Sequence, residues 1–301
     1  MGLLEKANLS VGGSQWAASL HLQLGHTQRG TRLLQREHSG PLYVQKPFYP
    51  EGSDLAHIYL LHPPGGLVSG DHLQISAELA PGAQALFTTP GASRLYRARP
   101  DQALQRQVVS LQLANGSAVE WLPLETIAFP NSRGRLVTRV QLPQAEPQPT
   151  PESRAARFIG WEITCLGLPA SGQPFTSGQL LQSFELWAGN KPLLLESLRL
   201  NASDQLLMAG AAGLQGRVAS ALMVAGPFAQ AEPLADLIAT LRAQLVNPDN
   251  HLGVTSRGQF IVIRALGDNA NQLRQLLTRA WQLLRPALLE RPACLPRIWA
   301  C

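Results

Sequence analysis

Apolar residues at every second position dominate this chain from Trp16 to Val224, and that period of two constrains the fold more than any other feature. Ala18, Leu20, Leu22 and Leu24 alternate with Ser19, His21 and Gln23. Leu73, Ile75, Ala77 and Leu79 repeat the pattern, as do Val109, Leu111 and Leu113, and then the segment from Leu136 to Leu142. Successive strand side chains point to opposite faces, so each run reads as a strand with one buried and one wet face. Ile58-Tyr59-Leu60-Leu61 is continuous and apolar, as a fully buried strand would be, and Thr31–Arg36 is a further strand candidate. More strands are expected around Phe158–Cys165, Gln179–Trp187, Leu193–Leu200, Arg217–Val224 and Phe260–Ile263. A 3.6-residue period appears only late. Leu234, Leu237, Ile238, Leu241 and Leu245 share one helix face, and Leu273, Leu276, Leu277, Ala280 and Leu284 share another. The fold class is therefore mainly β, with helices near 234–246 and 271–285.

Turn residues punctuate these runs. Asn115-Gly116, between Leu113 and Val119, predicts a tight hairpin, and Pro90-Gly91 is compatible with a type II turn. Pro47 and Pro50 keep their segment out of any central strand. The segment 143–152 is too rich in proline to pack and is expected to be an exposed loop. The densest turn is His62-Pro-Pro-Gly-Gly-Leu-Val-Ser-Gly-Asp71-His72. Its prolines fix φ, while Gly65, Gly66 and Gly70 permit positive φ or close backbone approach. Gly65 and Gly70 have P-loop spacing, but Asp71 and His72 stand where Lys and Ser or Thr would hold phosphate and Mg²⁺. A carboxylate there repels phosphate, and an alternating strand follows instead of a helix, which excludes a nucleotide loop.

Charge narrows the class further. Charged residues make up 15% of the 301 residues, against about 25% in an ordinary soluble domain. Only Lys6, Lys46 and Lys191 among the 25 basic residues are lysine. Protein interfaces favour Arg over Lys, so scarce charge rich in arginine fits a subunit with much of its surface covered; a GC-rich genome has the same effect. No basic run or aromatic interleaving marks a nucleic-acid binder. No apolar run is long enough to span a membrane, and Met1-Gly-Leu-Leu-Glu-Lys lacks a signal-peptide layout. Cys165, Cys294 and Cys301 are scattered, without a Cys-x-x-Cys pair. A cytoplasmic protein is the expectation.

No Gly-x-Ser-x-Gly or His-Glu-x-x-His motif occurs. Asp71, Glu120, Glu125 and Glu162 each lie in or beside apolar or aromatic strand segments, and His62 flanks the central turn. Acids are rarely buried unless paired or metal-bound. Pairing with arginine is the usual outcome; a polar cavity or channel is the other.

These residues fall in longer motifs: His38–Gly52, His62–Asp71, Thr88-Thr-Pro-Gly-Ala-Ser-Arg-Leu-Tyr-Arg97, Glu120-Trp-Leu-Pro-Leu-Glu-Thr-Ile-Ala-Phe129, Gly160-Trp-Glu-Ile-Thr-Cys-Leu-Gly-Leu-Pro-Ala170 and Pro296-Arg-Ile-Trp299. In this order they resemble the UreD/UreH family of urease accessory proteins almost end to end. Ser69, Leu124 and Pro130 depart from the family's usual glycine, glutamine and aspartate. The resemblance implies one domain over 1–301, a β-helix-like stack of strands, and a non-enzymatic scaffold. It implies three partners: apo-urease, a helical accessory protein of the UreF kind and a nickel-carrying GTPase of the UreG kind. No tightly bound cofactor is implied, only nickel in transit, for which Asp71, Glu120, Glu125, Glu162 and His62 are the candidate ligands. The competing expectation is a metal-dependent hydrolase using the same scattered acids with His62 and His72.

Overall fold

In a computed structural model, residues 16–144, 154–228, 231–246 and 250–300 are described. The expected proline-rich loop lies outside them except for its first two residues. Strands β1 (Ala17–Thr27) and β2 (Gly30–Ser39) form a hairpin, and β3 (Leu55–Tyr59) follows. The chain then coils through β4 (His72–Leu79), β5 (Gln84–Thr88), β6 (Ser93–Leu95), β7 (Gln105–Leu113), β8 (Ala118–Leu122), β9 (Thr126–Ala128), β10 (Ser132–Leu142), β11 (Arg157–Leu166) and β12 (Gly178–Ala188). After β13 (Lys191–Asn201) come α1 (Gln205–Ala209), β14 (Ala219–Gly226), α2 (Ala231–Gln244), β15 (His251–Arg257), β16 (Phe260–Gly267) and α3 (Ala270–Leu289). Both late helices stand where the 3.6 period placed them.

The strands build two sheets. The first runs β13-β12-β10-β7-β4-β1-β2, with β1, β4, β7, β10 and β12 mutually parallel. The second runs β15-β16-β14-β11-β8-β5-β3, parallel from β3 to β11 and antiparallel beyond. Each coil places one strand in each sheet, with β6 and β9 stacked on a short third side. This is a β-helix-like stack with antiparallel ends, as the resemblance implies.

Register explains the period of two. Leu22, Ala77, Leu111, Val140 and Leu186 align across the first sheet, all buried in the space between the sheets. A second core lies behind the second sheet, where Ile159, Trp161, Ile163 and Met223 meet α2 and α3. Leu273, Leu277 and Leu284 of α3 are wholly buried there, each contributing about 1.5–3 kcal/mol. Asn269 caps α3 by accepting the N–H groups of Asn271 and Gln272, satisfying donors that a helix start leaves open.

Two turn expectations fail. Asn115-Gly116 makes no hairpin: β7 and β8 belong to different sheets and do not pair. A type I′ hairpin turn needs positive φ at both central residues, and only Gly116 has it, at 72°. The turn is instead a coil corner, closed by Ser117 N–H on Ala114 O. It stacks on the equivalent corner at Ala80-Pro81-Gly82-Ala83, where Gly82 has φ 75°. At Pro90-Gly91 the type II turn is absent, because Gly91 does not take the positive φ it requires.

The 62–72 turn joins the short side. Leu67 N–H donates to Arg94 O at 2.7 Å, and Tyr96 N–H donates back to Leu67 O. Gly65 takes φ 70°, and a Cβ on Gly66 would sit 2.4 Å from Arg94 O. Here one glycine supplies positive φ and its neighbour close approach.

Candidate functional site

The space between the sheets is not uniformly apolar. Gln107, Thr138 and Gln182 occupy inward positions of β7, β10 and β12, beside Val109, Val140 and Phe184. Opposite them, Glu162 projects from β11. With Trp121, His62, Thr126 and the Thr89–Arg94 corner, these residues line a cavity of about 410 Å³. The Trp121 indole N–H is buried there without a protein partner. A cavity of that size with several polar groups is roomy enough for water, which takes about 30 Å³ per molecule in the liquid.

Glu162 and Gln182 also line a second cavity, of about 460 Å³, between β12–β13 of the first sheet and β14–β16 of the second. The two cavities therefore meet at this pair. Gln182 Nε2 donates to Glu162 Oε2 at 2.8 Å, and Thr164 Oγ1 donates to Gln182 Oε1 at 2.6 Å. Thr138 supplies another hydrogen bond to the Glu162 carboxyl. Glu162 is enclosed by protein yet keeps accessible surface, as expected for a side chain on the wall of an internal cavity. Burial pushes its carboxyl above the usual carboxylate range, and the neutral hydrogen bonds offset this only in part.

The other candidates are placed differently. Glu120 lies on β8 opposite Ile159, so it shares the face of Ile159 and Trp161 that packs on α3. Its carboxylate accepts from Arg285 Nε at 3.0 Å and from Trp281 Nε1 at 2.6 Å. Arg285 also reaches Glu51, which bonds His57 Nε2 at 2.7 Å. Glu120 and Arg285 are 1% and 0% exposed. Burial raises the Glu120 carboxyl more than Arg285 lowers it. For Glu51 the bonds from His57 and Arg285 outweigh burial and draw it down. This network ties helix to sheet, on the far side of the sheet from the cavities.

Asp71 is buried and closes its own turn, Oδ2 accepting the Val68 N–H at 2.8 Å. It is close enough to raise the affinity of His62 for a proton, although burial dominates and lowers the imidazole below its ordinary value. A neutral imidazole on the cavity wall is in the form that ligates metal. Glu125 is flanked by Leu124 and Thr126, which line the first cavity, and its Oε2 is buried without a hydrogen-bond partner. His72 points outward from β4 and meets neither cavity. Cys165 is buried, and desolvation, aided by Glu125, pushes its thiol up to about 11, so it is neither nucleophile nor thiolate ligand.

Among the described residues no three His, Cys, Asp or Glu side chains are grouped to hold a metal ion, so a hydrolytic centre of the expected alternative is not favoured. Nor is any helix among them long and apolar enough to cross a membrane. Sequence reading missed Gln107, Thr138 and Gln182. The available signal was a polar residue at an inward position of an alternating strand.

Comparison with known proteins agrees with the motifs. The profile of the UreD urease accessory protein family matches residues 17–300. The chain is 46% identical to the urease accessory protein UreD of a Marinomonas strain over 295 residues, covering 96% of this chain and 91% of that one. It is 41% identical over 302 residues to the UreD of Pseudomonas putida, with 100% of both chains covered. A family match over nearly the whole length, on a β-helix-like stack whose motifs line the inter-sheet cavity, leaves one reading of its kinship: the chain belongs to the UreD family of urease accessory proteins.

Proposed function

We propose that this chain is a non-catalytic scaffold that passes nickel toward apo-urease, acting with a helical accessory protein of the UreF kind and a nickel-carrying GTPase of the UreG kind. The observation that carries the reading is the meeting of two cavities at the polar pair Glu162 and Gln182 between the sheets. A protein that hands on a divalent ion must attract it without retaining it. Scattered carboxylate, amide and hydroxyl oxygens do this, whereas clustered thiolates or imidazoles would trap nickel. Glu162 is the central group, with His62 at the wall of the first cavity. Asp71 and Glu125 lie near that cavity and support its rim. Glu120 belongs to the helix anchor.

The test is Glu162→Ala in cells carrying an otherwise complete urease operon, scored for complex assembly and urease nickel content in the same lysates. The expected result is intact assembly with less nickel delivered. The loss should be greatest at limiting nickel and partly rescued by excess, because the defect is one of local ion concentration. Full nickel content at limiting supply would sink the passage. Loss of assembly before loss of nickel would make Glu162 a structural residue.

A further inference from the structure

The second cavity ends where the coil stops, between the edge strand β13 and the antiparallel strands β14–β16. Two residues of its lining face each other across that gap. Arg264 of β16 donates to Glu196 of β13 through NH2 at 2.5 Å and Nε at 3.2 Å, a two-pronged bridge from one sheet to the other. His251 shares the lining and contacts Arg217, which in turn pairs with Asp268.

The side chains of Arg264 and Glu196 are 49% and 27% exposed. A pair this wet contributes about 0–1 kcal/mol to stability, so it opens readily. That is too little to explain the bridge as a brace, in a fold whose sheets are already joined through the core packed between them. Its position explains it better. With the pair closed, the guanidinium occupies and neutralises the Glu196 carboxylate, so the mouth offers a divalent cation no ligand there. With Arg264 swung aside, the same mouth presents Glu196, which attracts one.

We propose that the Arg264–Glu196 pair is a charge gate at the β13–β16 mouth of the passage, in which Arg264 competes with the divalent cation for Glu196. This rests on the passage reading above. The gate sets how fast the cation crosses the mouth, and a partner whose acidic side chain takes Arg264 would open it on docking.

A brace and a gate make opposite demands on the two residues. Removing either half of a brace has the same effect; removing the two halves of a gate has opposite effects. The experiment uses assembled complexes of Arg264→Gln, Glu196→Gln and Glu162→Gln, each given nickel(II) at limiting concentration and read by the initial rate of urease activation. Assembly is checked by co-purification. Arg264→Gln should activate faster than wild type and Glu196→Gln slower, each by roughly tenfold, the low end of the effect of charge placed in a cleft. Arg264→Lys, which keeps the charge, should stay near wild type and serves if Arg264→Gln fails to assemble, because a brace needing the planar fork would lose function there. If both glutamine variants shift the same way, or neither shifts while Glu162→Gln is slow, the gate is wrong and the passage stands. If Glu162→Gln is as fast as wild type, the passage fails and the gate falls with it.

Discussion

Glu120 and Glu162 are glutamates enclosed by protein on neighbouring strands of one sheet, and they face opposite ways. Glu120 looks outward into a dry core, where Arg285 and Trp281 occupy its oxygens. Glu162 looks inward onto a cavity wall, where only the neutral groups of Gln182 and Thr138 meet it. The difference is one of register. Glu120 aligns with Ile159, so it shares the side of Ile159, Trp161 and Ile163, while Glu162 sits at the alternate positions with Phe158 and Gly160. One carboxylate is matched by a fixed counter-charge and cannot serve a passing ion without breaking the fold. The other has no counter-charge and is costly to ionise, the condition of a group that can exchange partners.

Breaking the matched pair should give the largest effect. Glu120→Ala leaves the buried Arg285 guanidinium with Glu51 as its one acidic partner and should cost about 3–5 kcal/mol, read as a fall in the urea midpoint or as loss of soluble chain. The double variant Glu120→Ala, Arg285→Met should recover part of that loss, because the under-paired guanidinium is gone and Glu51 keeps its bond with His57. Equal losses in the single and double variants would show that the helix anchor depends on packing around Trp281 and not on charge.

The cavity-bearing core depends on its wall as well as on its polar groups. A valine side chain at Gly66 would press on Arg94 O, Arg94 Cβ and Tyr96 Cε2, so Gly66→Val should destabilise by about 1–3 kcal/mol, the usual range for overpacking. At Gly65 the Cβ would meet only the end of the Arg94 side chain, at 3.0 Å, and the cost lies in φ 70° for a β-branched residue. Measured midpoints should place both below wild type. Wild-type stability for both would show that this wall does not need its glycines.

Much of this was legible in the sequence, and the limits have physical causes. The period of two located most strands because the central first-sheet strands have one buried and one wet face. It could not tell which of two cores a residue faces in the second sheet, whose strands are covered on both sides; β3 and β8 are buried throughout. Glu120 and Glu162 therefore looked alike, since a shift of one residue exchanges the faces. Asn115-Gly116 correctly marked a turn, but not its type, which depended on whether the next strand joined the same sheet or the other. The short strands β6 and β9 carry too few residues to show a period. Ser69 has a use here: buried, its hydroxyl accepts the Arg99 N–H at 2.8 Å, a bond glycine could not make.

The finest test of the contrast is the response of stability to pH at Glu162. Its carboxyl is held above the ordinary glutamate value of 4.5, first by burial. The folded chain therefore keeps a proton there that the unfolded chain has already lost, and such a group's contribution is complete below about 4.5 and disappears as pH rises through the folded value. Glu162→Gln removes that dependence while keeping an acceptor for Gln182 Nε2. The variant should match wild type near pH 4.5 and exceed it modestly in Tm at pH 8, even as its nickel delivery falls. A gain in stability with a loss of delivery is what a residue retained for transit would give. A difference that stays constant from pH 4.5 to pH 8 would mean that burial does not hold a proton on Glu162, and the reading of it as an acid without a counter-charge would fail.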